Sequence, residues 1–225
     1  LNGYLGGDLK IVFTGDINCV ACGRATKKTF GPGYCFPCSQ NRAEADICIV
    51  RPELCHHGEP GNPCRDEEFA QSQCFQPHIL YCSLTSGVKV GITRQPNVPS
   101  RWIDQGAGQA LAVFQVENRL QSGLIEVIMK RHVSDRTDWR KMLKGDAEPI
   151  DMQAVRDELL EKCGSAIDTL KAEHGEDAIR TVDEETVDIV YPIERYPEKI
   201  KSFNFDKQNL VEGTLMGIKG QYLIL

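Results

Sequence analysis

The chain has 225 residues, 41% of them hydrophobic and 26% charged, the make-up of a globular protein with room for one large or two small domains and a sizeable core. Its formal net charge of −6 argues against a protein that coats nucleic acid nonspecifically, but not against a local basic groove. No apolar run approaches the length that spans a bilayer, and no secretory leader is visible.

Residues 1–16 contain a strand-like core, Leu9–Thr14, bounded by glycines. The chain begins at Leu1 rather than Met and closes on an apolar strand, so both ends are expected to lie inside a longer or processed protein. Eight of the ten cysteines fall between Cys19 and Cys74. An even, clustered set suits disulfides in a secreted chain, but CxxC pairs favour thiolate–metal ligation in a reducing compartment, so a cytoplasmic location is expected.

The pairs Cys19/Cys22 and Cys35/Cys38 bracket a twelve-residue connection. This is a zinc-ribbon arrangement: each knuckle turns both sulfurs inward, and two knuckles complete a tetrahedron around a structural Zn²⁺. Four thiolates leave no open coordination position, so this metal would support folding and not catalysis. The rival reading, a redox CxxC, needs only one pair. From Asn41 to Pro77 regular periodicity is lacking, and a second cluster appears. A loop-rich stretch of that length needs something other than a core to order it. A second zinc on Cys48, Cys55, Cys64 and Cys74 would do so, with His56 or His78 able to replace one thiolate and His57 read as a solvated loop residue.

His78–Tyr81 and Val88–Thr93 flank the turn signal Thr85-Ser86-Gly87 and read as a β-hairpin. It would hold Tyr81, Lys89 and Arg94 near Gly91 on a rigid scaffold; the bland reading is a core hairpin with Tyr and Lys at an edge. A short helix is expected after Pro99, carrying Arg101, Trp102 and Asp104, then a strand at Leu111–Val116. Leu120–His132 reads as an amphipathic helix, with Leu120, Leu124, Val127, Ile128 and Arg131 at helical spacing and Glu126 off that stripe. Polar amphipathic helices are expected at Asp135–Leu143 and Asp151–Glu173, the second a structural arm, followed by a strand at Thr186–Pro192. Glycine-broken strands close the chain, and residues 1–16 and 200–225 are expected to meet, since lone short strands are not stable. The expected class is α+β, in four parts: a zinc-binding module over 1–77, a central α/β unit over 78–145, a helical arm over 146–185 and a small β unit over 186–225.

Tyr81, Lys89, Arg101 and Glu126 together suit phosphodiester cleavage. A glutamate can hold one Mg²⁺ that polarises a phosphate oxygen, an arginine can donate to the phosphorane, and a tyrosine can orient or deprotonate water. A nearby ammonium would lower the phenol's pKa. Singly, each residue has a plainer reading: Arg101 and Asp104 as a helix surface ion pair, Trp102 as core, Glu126 as a solvated helix face, Tyr81 as a half-buried strand residue.

Tyr81, the run Lys89-Val90-Gly91, Arg101 and Glu126 resemble the GIY-YIG nuclease superfamily over roughly residues 78–135. The resemblance implies that Tyr81 stands at the first tyrosine, Gly91 at the glycine of the second triplet, Arg101 at the catalytic arginine and Glu126 at the metal-binding glutamate. Lys89 replaces the second tyrosine, as in some branches of that superfamily, and Ile79-Leu80-Tyr81 keeps only its tyrosine. Nearly end to end, the chain also resembles a family of uncharacterised prokaryotic proteins, domain of unknown function 2797. The points of likeness are Cys48 with Pro52–His56, Lys89–Arg94, Arg101–Ala107 and Gly217–Leu223. The expectation is a Mg²⁺-dependent, zinc-stabilised nuclease acting on nucleic acid. The alternatives are a zinc-stabilised nucleic-acid- or ribosome-associated protein without turnover, and a pure interaction scaffold.

Overall fold

The computed structural model describes residues 1–225, an α+β protein. In chain order its elements are β1 (Asp8–Val12), α1 (Phe36–Asn41), α2 (Glu67–Phe69), β2 (His78–Leu84), β3 (Val88–Arg94), α3 (Ser100–Asp104), β4 (Gln109–Val116) and α4 (Arg119–Met129). Then follow α5 (Trp139–Met142), α6 (Met152–His174), β5 (Ile179–Thr181), β6 (Val187–Asp188), β7 (Leu210–Thr214), β8 (Gly217–Lys219) and β9 (Tyr222–Ile224). Short 3₁₀ turns, not helices, order much of 43–54.

The principal sheet runs β3-β2-β4-β5, with β6 pairing the other end of β4. All seven residues of β2 are buried, because both faces of the sheet are covered and successive side chains alternate between them. Leu80, Cys82 and Leu84 face α4 and α6, in a core with Ile125, Met129, Met152, Leu159, Cys163 and Ile167. Ile79 and Tyr81 face the other way and pack with Trp102, Ala107, Ala110 and Ala112. In β4 the register shifts opposite Leu80/Tyr81, so Leu80 meets Phe114 while Tyr81 meets Ala112. The extra residue is a β-bulge; it lets Leu111, Val113, Phe114 and Val116 all contribute to one core. Alternation alone could not have placed them there.

Asn118 caps α4, accepting from the Gln121 N–H while Gln121 Oε1 accepts from the Asn118 N–H. Asp151 caps α6 by accepting from the Ala154 N–H. The stretch read as an arm thus buries Met152, Leu159, Cys163 and Ile167 in the principal core. Two elements are shorter than the sequence suggests: only 139–142 of 135–143 is helical, and only 187–188 of 186–192 pairs as strand. Within the second, Val190 is 93% exposed, while Ile189 packs against the Tyr81–Trp102 cluster. At the chain ends β1 pairs antiparallel with β7, Asp8 opposite Thr214 and Val12 opposite Leu210. No helix is long and apolar enough to cross a membrane.

Candidate functional site

Three constellations of side chains carry chemistry. In the first, the sulfurs of Cys19, Cys22, Cys35 and Cys38 all lie within 4.8 Å of one another. Cys22 and Cys35 Sγ are 3.8 Å apart, and a tetrahedron with Zn–S bonds of about 2.3 Å has edges of about 3.8 Å. Backbone N–H groups at Cys35, Cys22 and Ala21 draw the Cys19 thiol down to about 6. The neighbouring Cys35 thiol and burial push Cys38 up to about 12. Four thiols so close cannot all ionise without a cation among them, and a zinc ion fits.

The second constellation differs from its sequence reading. Cys48, Cys55, Cys64 and Cys74 do line one small enclosed cavity of about 20 Å³, together with His56 and Asp46, which is room for a single ion or water. The tightest group, though, is Asp46, Cys48 and His56, with ligand atoms within 4.8 Å of one another. His56 Nδ1 lies 2.8 Å from the Asn62 carbonyl and must donate to it. His56 Nε2 faces Asp46 Oδ2 at 3.4 Å, so the ring nitrogen, the carboxylate and the Cys48 sulfur turn toward one position. Asp46 is held in turn by Arg65 Nε at 2.8 Å. His78 does not line this cavity: it is buried in β2, its Nδ1 donating to the Gln76 carbonyl at 2.7 Å. His57 is exposed, as its reading as a solvated loop residue expects, with its Nε2 2.9 Å from Glu67 Oε2.

The third constellation is a cleft of about 530 Å³ running along β3. Lys89, Gly91, Arg101 and Glu126 all line it. Its charged lining is five cations (Lys89, Arg94, Arg101, Arg119 and Lys130) against two carboxylates, Glu126 and Asp135. Burial and the nearby Arg101 charge draw the Lys89 ammonium down to about 8. Burial raises the Glu126 carboxyl, against the pull of Lys130. Lys130 Nζ sits between the two carboxylates, 3.2 Å from Glu126 and 3.2 Å from Asp135. Both carboxylates therefore converge on the Lys130 ammonium. Arg101 forms no ion pair with Asp104; its head turns instead to the cleft and the Tyr81 hydroxyl.

Tyr81 itself departs from expectation. It lies opposite Gly91 across the hairpin, beneath the cleft and fully buried. A Cβ at Gly91 would fall 2.7 Å from the phenol oxygen, so only glycine lets the ring lie there. The hydroxyl donates to Gln105 Oε1 at 2.9 Å. Burial pushes its pKa up to about 12 despite the opposing Arg101 guanidinium. Desolvation outweighs the nearby cation, and the expected lowering of this pKa is corrected. Tyr81 stays protonated near neutrality, and its bond partner Gln105 lines the cleft.

Distant segments brace the walls. At Gly123 in α4 a Cβ would meet Pro52 Cβ at 2.6 Å and the Glu53 nitrogen at 2.7 Å, so the cysteine-rich segment sits directly on the helix that carries Glu126. Arg119 adds a 2.6 Å hydrogen bond to the Ile49 carbonyl, and Cys74 and Phe69 line both the small cavity and the cleft. On the far side Gly220, at φ +57°, puts its α-carbon against the Asp104 carbonyl and the Gly106 nitrogen. Beside it Lys219 is buried and bonds Asp146 Oδ1 at 2.6 Å and Tyr196 at 3.2 Å. The β8–β9 hairpin thereby seats the turn after α3, the helix that carries Arg101. Sequence reasoning missed Asp46, Arg119, Lys130 and Asp135. Only Lys130 had a local signal, its i,i+4 spacing from Glu126.

Neither the curated proteins nor the solved structures include a match to this chain. A family profile described as "Protein of unknown function (DUF2797)" matches residues 6–225, and the chain belongs to that family.

Proposed function

We propose that the cleft along β3 binds a nucleic-acid phosphodiester and hydrolyses it. The observation that carries this reading is the charge of the lining: five cationic side chains and two carboxylates in one cleft, in a chain whose net charge is −6. Arg101 donates to the phosphate oxygens and stabilises the charge that grows on them in the phosphorane. Lys89, with a pKa near 8, is about one-tenth neutral at pH 7, and in that form takes a proton from the attacking water as the P–O bond to the leaving oxygen breaks and that oxygen is protonated by solvent. Glu126 and Asp135 would hold Mg²⁺ in place of the Lys130 ammonium between them, and the ion would polarise a phosphate oxygen. Tyr81 is a positioning residue: its buried hydroxyl fixes Gln105 and backs the Arg101 guanidinium.

Incubation of the purified protein with DNA and RNA panels, with and without Mg²⁺, tests this. Cleavage is expected with Mg²⁺, falling at least a hundredfold in Glu126→Ala and Arg101→Ala, since removing one charge-stabilising group costs about 10²–10³ in rate. Cleavage unchanged in Glu126→Ala would assign the activity to a contaminant or another site. A second reading, binding without turnover, is favoured by one observation: Glu126 is already clasped by Lys130 and the phenol is sealed. Salt-dependent binding with no product under any metal would select it.

A further inference from the structure

Apart from the cleft, the Cys19–Cys38 module carries an exposed surface of its own. Between Ile17 and Ala43 there are four basic side chains, Arg24, Lys27, Lys28 and Arg42, and no acidic one, although the whole chain has 26 basic and 32 acidic residues. All but Lys27 and Lys28 lie beside a knuckle, and those two sit on the connection between the knuckles. A Zn²⁺ on four thiolates leaves two negative charges, and the four cations exceed them. In the same stretch stand large apolar groups that no core takes up: Phe36 is 60% exposed and Val20 65%. Phe36 packs edge-on to Phe30, ring centroids 5.5 Å apart, and Lys28 Nζ lies 5.4 Å from the Phe30 ring. The knuckles fix the backbone on either side of Phe36, so the ring is presented from a rigid base. An acidic protein partner would satisfy the cations alone; an exposed aromatic in a stretch with four cations and no acid fits a ligand that offers both anionic groups and flat apolar faces.

We propose that this face of the Cys19–Cys38 module is a docking surface for single-stranded nucleic acid, with bases stacking on Phe36 and phosphates meeting Arg24, Lys27, Lys28 and Arg42. Unstacked bases are required, which favours a single strand over a duplex. The module is tied to the segment that walls the cleft, because Arg65 Nη1 donates to the Arg42 carbonyl at 3.2 Å and its Nε holds Asp46. The surface stands without the cleft reading, since it needs no catalysis and shares none of the cleft's residues.

Fluorescence anisotropy of the zinc-loaded full chain with a labelled fifteen-nucleotide single strand and with the matching duplex tests the proposal. The single strand is expected to bind more tightly. Phe36→Ala should weaken it about 5- to 100-fold, and Lys27→Ala with Lys28→Ala should lower the slope of log affinity against log salt by about 1.4. Zinc content and circular dichroism identify any variant that has lost the module, and the lysine pair decides between the outcomes if Phe36→Ala does not fold. The same variants made on an Arg101→Ala background should lose the same factor. A cleft that binds nothing would leave these losses unchanged, whereas a failed docking surface would leave the lysine variant equal to the parent on both backgrounds. Absence of single-strand binding by the parent at low salt would overturn the proposal in favour of a protein partner.

Discussion

Lys89 and Tyr81 lie on neighbouring strands and obey opposite demands. Burial disfavours whichever form is charged, so it lowers the lysine to about 8 and raises the tyrosine to about 12. Near neutrality this leaves an amine that can give up its proton and a phenol that keeps its own. The lysine shift ties stability to pH. Between about 8 and the ordinary lysine value of 10.5 the unfolded chain binds the proton that the folded chain has released, so stability from this group rises with pH and is lost as pH falls through 8. Urea unfolding of the parent and Lys89→Met at about pH 7.5 and about pH 10 checks this. The difference should move in favour of the parent at the higher pH; a flat difference would mean that Lys89 is solvated.

At the level of elements, what could be read in advance followed turn chemistry and spacing. Thr85-Ser86-Gly87 between two β-prone runs gives the hairpin 78–94, and Pro99 starts α3; two CxxC pairs bring four sulfurs together. What could not be read depends on contacts between distant residues. The bulge in β4 leaves no local mark, and Asp46 joins Cys48 and His56 only after 3₁₀ turns fold the segment back. Gly123 is a case where two rules oppose each other. Alanine in a helix is better than glycine by about 1 kcal/mol, but overpacking a close contact costs about 1–3 kcal/mol, and Pro52 and Glu53 stand too near for a methyl group. The packing term should win, so Gly123→Ala is expected to lower stability by about 1 kcal/mol and to speed alkylation of the thiols at Cys48 and Cys74. A stabilised variant would contradict the direct docking of the cysteine-rich segment on α4.

On the scale of the whole molecule, stretches far apart in the chain serve one hollow. Residues 49–53 seat α4 and Glu126, the β8–β9 hairpin seats the end of α3 behind Arg101, and β3 supplies Lys89. All of these stretches lie within residues 6–225, which the family profile matches. Their separate motifs make physical sense as parts of one support for a cationic cleft in an acidic protein. Net negative charge elsewhere repels polyanions, so any attraction for them would be confined to the basic surfaces.

The central claim is that phosphate binds in that cleft through Arg101. Titration of a short phosphorothioate oligonucleotide, in Mg²⁺-free buffer without chelator and at fixed salt, into the parent and Arg101→Ala tests it without requiring turnover. A lost charged hydrogen bond of about 1.5–3 kcal/mol predicts affinity at least tenfold weaker in the variant. Equal affinity for the two proteins, with both correctly folded, would contradict the account.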